Sequence, residues 1–250
     1  MATKKAKKAK TPTKLPDSVR VLWHERDHPS RGPKPTLSAD QIARAAIGVA
    51  DAEGLAAVSM QRIAREVHVT TMALYRYFSS KAALIDLMID TAGGPAPDLD
   101  AVSKGWRSRL EEWTRRCSSI YRDHPWFLQA ATARRRNMGP NELEWLNAAL
   151  AVLGDAGLRA REQHEAFLVL IGHVRSNAEF MAGRSQSPSA EQWVSVMAEL
   201  LGRHGDRYPA LIAAIDSGAF TQPPEDGVEF GLKCILDGIE SRVGRRPKRP

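Results

Sequence analysis

The sequence of 250 residues has only two cysteines, Cys117 and Cys234, which stand far apart in the chain. Two isolated thiols are too few for a disulfide framework or for a zinc site built on thiolates. No run of eighteen apolar residues is present, which excludes a candidate membrane span. The basic start of the chain leads into no apolar segment, so a signal peptide is not predicted. These absences favour a protein of the cytoplasm.

Aromatic residues are also scarce, at 6% of the chain, and no stretch alternates apolar and polar residues for long. Because half-buried strands require that alternation, β-structure is not expected. Alanine and leucine are abundant, and apolar residues recur three and four positions apart, which is the spacing of an amphipathic helix. The sequence therefore predicts an all-α fold.

The net charge of +7 is concentrated at one end of the sequence. Residues 1–35 contain ten lysines and arginines against three acids, so the rest of the chain is neutral on balance. A basic arm of this kind can follow DNA phosphates and reach into the minor groove. It can equally be a solvated, disordered tail. Arg31 and Lys34, nearest to the first long helix, are its best candidates for DNA contact.

One short motif within this arm suggests a metal. His24, Glu25 and His28 spell H-E-x-x-H, a zinc-protease signature that needs both imidazoles on one face of a buried helix. Pro29 follows immediately, and no apolar residues flank the motif to support such a helix. We therefore predict neither a metal site nor a cofactor.

The segment from Ser59 to Lys81 predicts two short helices joined by a tight turn. In the first, Met60, Ile63, Ala64 and Val67 form one apolar stripe, and Ser59 can cap its start. Thr70 can cap the second helix, whose inward side carries Ala73, Leu74 and Phe78. This arrangement is typical of a helix-turn-helix.

Side chains on the exposed side of this unit suit contact with a DNA duplex. Hydroxyls can meet base edges or phosphates, a methionine can touch a thymine methyl, and Tyr, Arg and Lys can hold the phosphate backbone. With the two residues of the arm, the candidate DNA contacts are Ser59, Gln61, Thr70, Thr71, Met72, Tyr75, Arg76, Tyr77, Lys81, Arg31 and Lys34. The alternative is a plain helical hairpin with a solvated polar face.

Helix signals on both sides of this unit divide the chain. Ser38 and Gln41 form a capping box ahead of a helix that Gly54 ends, and Ser80 caps a very apolar helix that we expect to link two domains. The segment GGPAPD, residues 93–98, then breaks the helical pattern. We predict a disordered basic arm at 1–36, a DNA-binding domain at 37–92, a larger helical domain at 99–244 and a basic tail at 245–250.

Residues 38–92 resemble the DNA-binding domain of the TetR family of bacterial transcription regulators. The resemblance lies in LSADQIARAAIGVADAEGL, in Val58-Ser59, Ile63-Ala64 and Val69, and in ALYRYFSSKAALIDLM. His68 departs from the pattern, because the family often has glycine at this left-handed turn position. The second half is similar to the tetracycline-repressor-like C-terminal domain through HPWFLQ, GPNELEWLNAALAVLGDAGL and VEFGLKCILDGI.

The resemblance implies a homodimer that pairs through helices 161–183 and 225–243. Both helices are apolar over a wide face, which agrees with a partner on that face. It also implies a sequence-specific regulator, a repressor that a small-molecule effector releases from a near-palindromic operator. A non-specific architectural DNA-binding protein is the alternative. An enzyme is disfavoured, because the sequence has no nucleophile elbow, phosphate-binding glycine loop or credible metal cluster.

Large aromatic and polar residues in the second half are candidates for an effector pocket, since such pockets combine apolar walls with a few polar groups. The candidates are Trp106, Trp113, Tyr121, Trp126, Arg134, His164, Asn177 and Phe180. An ordinary helical core explains the same spacing, and both interpretations remain open at this point.

Overall fold

A computed structural model describes residues 15–24, 37–102, 105–132, 137–184, 190–204, 207–219 and 227–244. The regular secondary structure of these residues is entirely helical, which confirms the predicted all-α fold. No helix in this part of the chain has both the length and the apolar character needed to cross a membrane.

Twelve α-helices and one short 3-10 turn, Leu55–Ala57, lie within the described residues. The helices are α1 (Asp17–Leu22), α2 (Ala39–Glu53), α3 (Met60–Glu66), α4 (Thr71–Tyr75), α5 (Lys81–Gly93), α6 (Gly105–Asp123), α7 (Phe127–Ala131), α8 (Pro140–Asp155), α9 (Ala160–Arg184), α10 (Ala190–His204), α11 (Pro209–Asp216) and α12 (Gly227–Gly244).

Helices α2, α3 and α4 form the small domain that we call the reading head. Its first helix begins at the predicted capping box: Ser38 Oγ accepts from the Gln41 N–H at 3.1 Å, and Gln41 Oε1 accepts from the Ser38 N–H at 2.7 Å. Gly54 ends α2 with a φ of 83°, which suits glycine. The buried core of the head contains Ile42, Val49, Val58, Ile63, Leu74 and Phe78.

Helix α5 packs against both α2 and α8, which confirms its predicted role as a link. Its buried carboxylates face the start of α8: Asp86 Oδ2 accepts from the Asn137 N–H at 3.2 Å, and Asp90 Oδ1 accepts from the Glu142 N–H at 3.0 Å. Burial raises the pKa of Asp90, although hydrogen bonds from the backbone N–H groups of Glu142 and Asn141 oppose that rise. Helix α5, on which the head packs, is therefore fixed to the start of α8 through these polar contacts.

The larger domain, which we call the body, is built around α6, α8 and α9, with α12 packed on α9 and α6. Trp113 of α6 lies at its centre. The Trp113 ring is edge-on to Trp145 and to Phe167, each with ring centroids 6.0 Å apart, and its indole N–H donates to the Trp145 carbonyl at 3.0 Å. At Gly231 of α12 an added Cβ would overlap the ring of His173, so glycine permits the close approach of α12 to α9.

The prediction that residues 1–36 are disordered is wrong for part of this segment. Asp17–Leu22 form α1, which packs on α5 and buries Val21 and Leu22, the latter to 1% exposure. Two apolar residues in one helical turn give too little periodicity to reveal such a helix, which depends on packing against α5.

Of the two residues after α1, Trp23 contacts the body and His24 contacts the head. The Trp23 indole N–H donates to the Met138 carbonyl just before α8, at 3.2 Å, so this tryptophan holds the end of α1 against the larger domain. His24 has a φ of 54°, and its ring lies 3.8 Å from the carboxylate of Asp40 in the first turn of α2. Arg31 and Lys34 lie outside the described residues.

Candidate nucleic-acid interface

The turn between α3 and α4 has the geometry of a Schellman motif. The Val69 N–H donates to the Ala64 carbonyl at 2.9 Å, and the His68 N–H donates to the Arg65 carbonyl at 3.2 Å. His68, the turn residue of this motif, has a φ of 54°. This lies in the left-handed region, where the resemblance leads one to expect glycine. A side chain in this region costs about 1 to 2 kcal/mol, which the packing of α3 and α4 on the head core offsets.

Hydroxyl side chains cap α3 and α4 of the head and the start of α5. Ser59 Oγ accepts from the Arg62 N–H at 3.1 Å, Thr70 Oγ1 from the Ala73 N–H at 3.1 Å, and Ser80 Oγ from the Ala83 N–H at 3.2 Å. Because each oxygen uses a lone pair to accept, its own O–H remains able to donate to a phosphate. The caps therefore fix the start of α4 and leave polar hydrogens at its surface.

Helix α4 is only five residues long, yet it presents a large exposed surface. Met72 is 75% exposed and Tyr75 is 46% exposed, both unusual for apolar side chains. Thr71 is half-buried beside them, and Arg76 and Lys81 are exposed just beyond the helix. The surface thus combines a thioether, a phenol, hydroxyls and two cations, which is the chemistry needed for base edges and phosphates together.

The prediction that Tyr77 lies on this exposed side is wrong. Its ring packs against the core, and its hydroxyl donates to the Leu37 carbonyl at 2.9 Å. The reason is that α4 ends at Tyr75, so the residues that follow do not keep helical spacing. Tyr77 instead ties the end of the helix-turn-helix to the start of α2.

Helix α3 adds a residue that the sequence analysis left out. Gln61 is exposed as predicted, and Arg65, one turn later on the same face, is exposed beside it. Arg62 has a structural role instead. Its guanidinium lies 2.8 Å from the Glu53 carboxylate, which joins α3 to the end of α2, and 3.4 Å from the Glu66 carboxylate within α3. The spacing of four residues from Gln61 was the signal that would have identified Arg65.

The eight candidate pocket residues are not brought together around one cavity. Trp113, Tyr121 and Trp126 are buried in the core, Trp106 and Asn177 are half-buried, and His164 and Phe180 are exposed. Arg134 lies outside the described residues. The reason is that α6 and α9 face several neighbours, so residues with equal helical spacing point to different places.

Two other features of the body bear on ligand binding. Thr114 Oγ1 is fully buried and has no hydrogen-bond partner within the described residues. An open depression of about 560 Å³ lies between α10 and α11, beside Leu201, Arg203, Ile212 and Asp216. None of the seven predicted residues that the structure describes lines this depression.

Within the described residues no three His, Cys, Asp or Glu side chains are placed to hold one ion. Of the H-E-x-x-H motif only His24 is among those residues, where it follows the end of α1. The buried Cys117 thiol has a pKa raised by burial to about 12, so it is not a thiolate ligand at neutral pH.

A helix-turn-helix with this exposed face, carried on a helix that enters a larger helical domain, defines a DNA-binding regulator. The model of bacterial regulatory proteins of the tetR family matches residues 42–88, and that of the tetracyclin repressor-like C-terminal domain matches residues 97–243. The chain belongs to the TetR family of transcription regulators.

Named relatives agree with this assignment. The HTH-type transcriptional repressor DrrR1 of Streptomyces coeruleorubidus is 35% identical over 239 residues, which cover 92% of this chain and 87% of DrrR1. An HTH-type transcriptional regulator of Saccharopolyspora erythraea is 31% identical over 90% of this chain and 93% of its own. The structure of ActR from Streptomyces coelicolor has a TM-score of 0.71 at 24% identity, covering 83% of this chain and 99% of ActR.

Proposed function

We propose that this protein is a homodimeric repressor that binds a near-palindromic operator and releases it when a small molecule enters the body. The observation that carries the proposal is the exposed surface of α4, where Met72 and Tyr75 stand out from a rigidly capped helix. Family membership and the repressors among the relatives support it. It acts in the cytoplasm and has no catalytic role.

Support for the dimer comes from apolar side chains exposed on α9 and α12. Leu168 and Val169 are exposed on α9, and Phe230 of α12 is 77% exposed. Surfaces of this kind are costly in water and mark interaction sites. A twofold pairing of α9 and α12 with the same helices of a second copy would bury them and set two reading heads at a fixed spacing.

Support for an effector comes from ActR, which has been crystallised with actinorhodin, and from the body of this chain. The buried hydroxyl of Thr114 lies on α6 without a partner within the described residues, and an unsatisfied buried group costs about 1 to 3 kcal/mol. We place the effector beside Thr114, where a ligand polar group would remove that cost. An effector shifts the equilibrium by binding more tightly to the arrangement in which the heads are wrongly spaced.

Selection of bound duplexes from a random pool tests the function. A repressor dimer should enrich a near-palindrome with half-sites about 34 to 36 Å apart and bind it about a thousandfold or more tighter than random DNA. Enrichment of no sequence would instead indicate an architectural DNA-binding protein and would refute the proposal.

Replacing Lys81 with alanine should weaken binding to every duplex about equally. An exposed ammonium that contacts one phosphate releases one counterion, so the slope of log K against log salt should fall by about 1. Titrations of operator and random DNA at several salt concentrations measure this slope. Arg203→Ala, which removes an exposed cation from α10, is the matched control; equal slopes for both variants would remove Lys81 from the contacts.

Replacing Thr71 or Met72 with alanine should instead relax sequence choice. Both residues lie in the first turn of α4, where side chains enter the major groove, and each base contact contributes about 1 to 3 kcal/mol of discrimination. The selection repeated with each variant should lose preference at one position per half-site. A variant that enriches the original operator at all positions would contradict this assignment.

A further inference from the structure

The reading head contacts the body at the last turn of α2. Asp51 Oδ1 accepts from the Trp126 indole N–H at 2.6 Å, and the same oxygen lies 2.8 Å from His124 Nδ1. Both partners belong to the short connection between α6 and α7. One carboxylate oxygen of the head therefore holds two rings of the body.

From Trp126, the partner of Asp51, further side-chain contacts lead through the body to α9. The Trp126 ring is buried and packs against Phe127 with centroids 5.9 Å apart, and Phe127 is edge-on to Tyr121 at 5.2 Å. The Tyr121 hydroxyl in turn accepts from Arg175 Nε of α9 at 3.3 Å. An unbroken series of contacts thus runs from α2 to α9.

We propose that Asp51 is a positioning residue that sets the angle of the reading head on the body through Trp126 and His124. The inference rests on the proposed function and assigns its regulation to a particular contact. Trp126 is buried, and the acceptor for its indole N–H is supplied by Asp51 of the head, so the head orientation and this hydrogen bond depend on each other. A shift of α6 or α9 would move Trp126 and release the head.

This assignment also accounts for Tyr121 and Trp126, which the sequence placed in an effector pocket. Both side chains already have hydrogen-bond partners in the series of contacts from Asp51 to Arg175, which we call the joint. Both rings are also packed against Phe127. Their aromatic surface therefore serves to transmit position between two domains.

Asp51→Ala should lower affinity for the selected operator by about tenfold, through the loss of the hydrogen bond to the Trp126 indole, and leave affinity for random DNA unchanged. Asp51→Asn should restore most of the operator affinity, because an amide oxygen still accepts from the indole N–H. Asp123→Ala is the matched control, since it removes an exposed carboxylate from the last residue of α6, directly before this connection, where Asp123 pairs with Arg122. Loss of affinity that is equal for operator and random DNA would overturn the proposal.

A distance measurement tests the positioning role of Asp51 without DNA, and its result does not depend on whether the protein is a dimer. Spin labels at Ala56→Cys in the head and Asn147→Cys in the body, in a Cys234→Ser background, report the head angle within one protomer when labelled protein is mixed with excess unlabelled protein. Asp51→Ala should broaden the distance distribution, and Asp51→Asn and Asp123→Ala should leave it narrow. An unchanged distribution in Asp51→Ala would refute the positioning role, whereas absence of operator preference in the wild type would refute only the proposed function.

Discussion

Replacing Phe230 with aspartate is expected to split the dimer and to lower operator affinity by about a hundredfold or more. Phe230 lies on α12 with 77% of its surface exposed, and Leu168 and Val169 of α9, which packs against α12, are exposed as well. In a twofold interface each substitution occurs twice, so two carboxylates would be buried without partners. Each head would then bind its half-site alone, without the effective concentration that a linked pair provides.

Sedimentation of the variant should show a single protomer, and titration with one half-site should show affinity close to that of the wild-type head. Leu143→Asp is the control, because it puts the same charge on an exposed apolar position of α8, outside α9 and α12. A Phe230→Asp protein that stays dimeric and keeps operator affinity would place the interface elsewhere and contradict the proposed pairing.

The reading head could be predicted in detail because its signals are local. The capping box at Ser38, the caps at Ser59 and Thr70 and the stop at Gly54 each act within four residues, and the structure contains all of them. The exposure of Met72 and Tyr75 follows from the same spacing. Tyr77 was predicted wrongly because α4 ends two residues before it and its hydroxyl bonds to Leu37, forty residues earlier in the chain.

Helix α1 and the joint at Asp51 could not be predicted, because both depend on contacts between distant parts of the chain. Leu22 is buried only through α5, and Asp51 has the pattern of an ordinary exposed acid at the end of a helix. Its partners His124 and Trp126 follow it by more than seventy positions. Periodicity and propensity describe single elements and contain no information on such pairs.

The candidate pocket residues show a third reason why the sequence alone could not predict the site. Core and cavity both use large apolar side chains at helical spacing, so the sequence of α6 is compatible with either. Only the positions of the neighbouring helices decide, and they place Trp113 against Trp145 and Phe167. The partnerless hydroxyl of Thr114, which the sequence analysis passed over, becomes noticeable only once its burial is known.

Trp113→Ala should therefore destabilise the protein by about 3 to 5 kcal/mol, the usual cost of removing a large aromatic side chain from a core. The substitution deletes two edge-on ring contacts and the hydrogen bond to the Trp145 carbonyl. For a domain of this size such a loss lowers the melting temperature by about 6 to 20 °C, which calorimetry or circular dichroism would measure.

Trp106→Ala supplies the comparison, because it removes the same side chain from the same helix at a half-buried position. Less apolar surface returns to water there, so the loss should stay below about 2 kcal/mol. Trp113→Phe separates the hydrogen bond from the packing and should cost about 1 to 2 kcal/mol. If Trp113 instead lined an effector cavity, alanine would leave the melting temperature near that of the Trp106 variant, because a cavity wall gives up fewer contacts than a packed core.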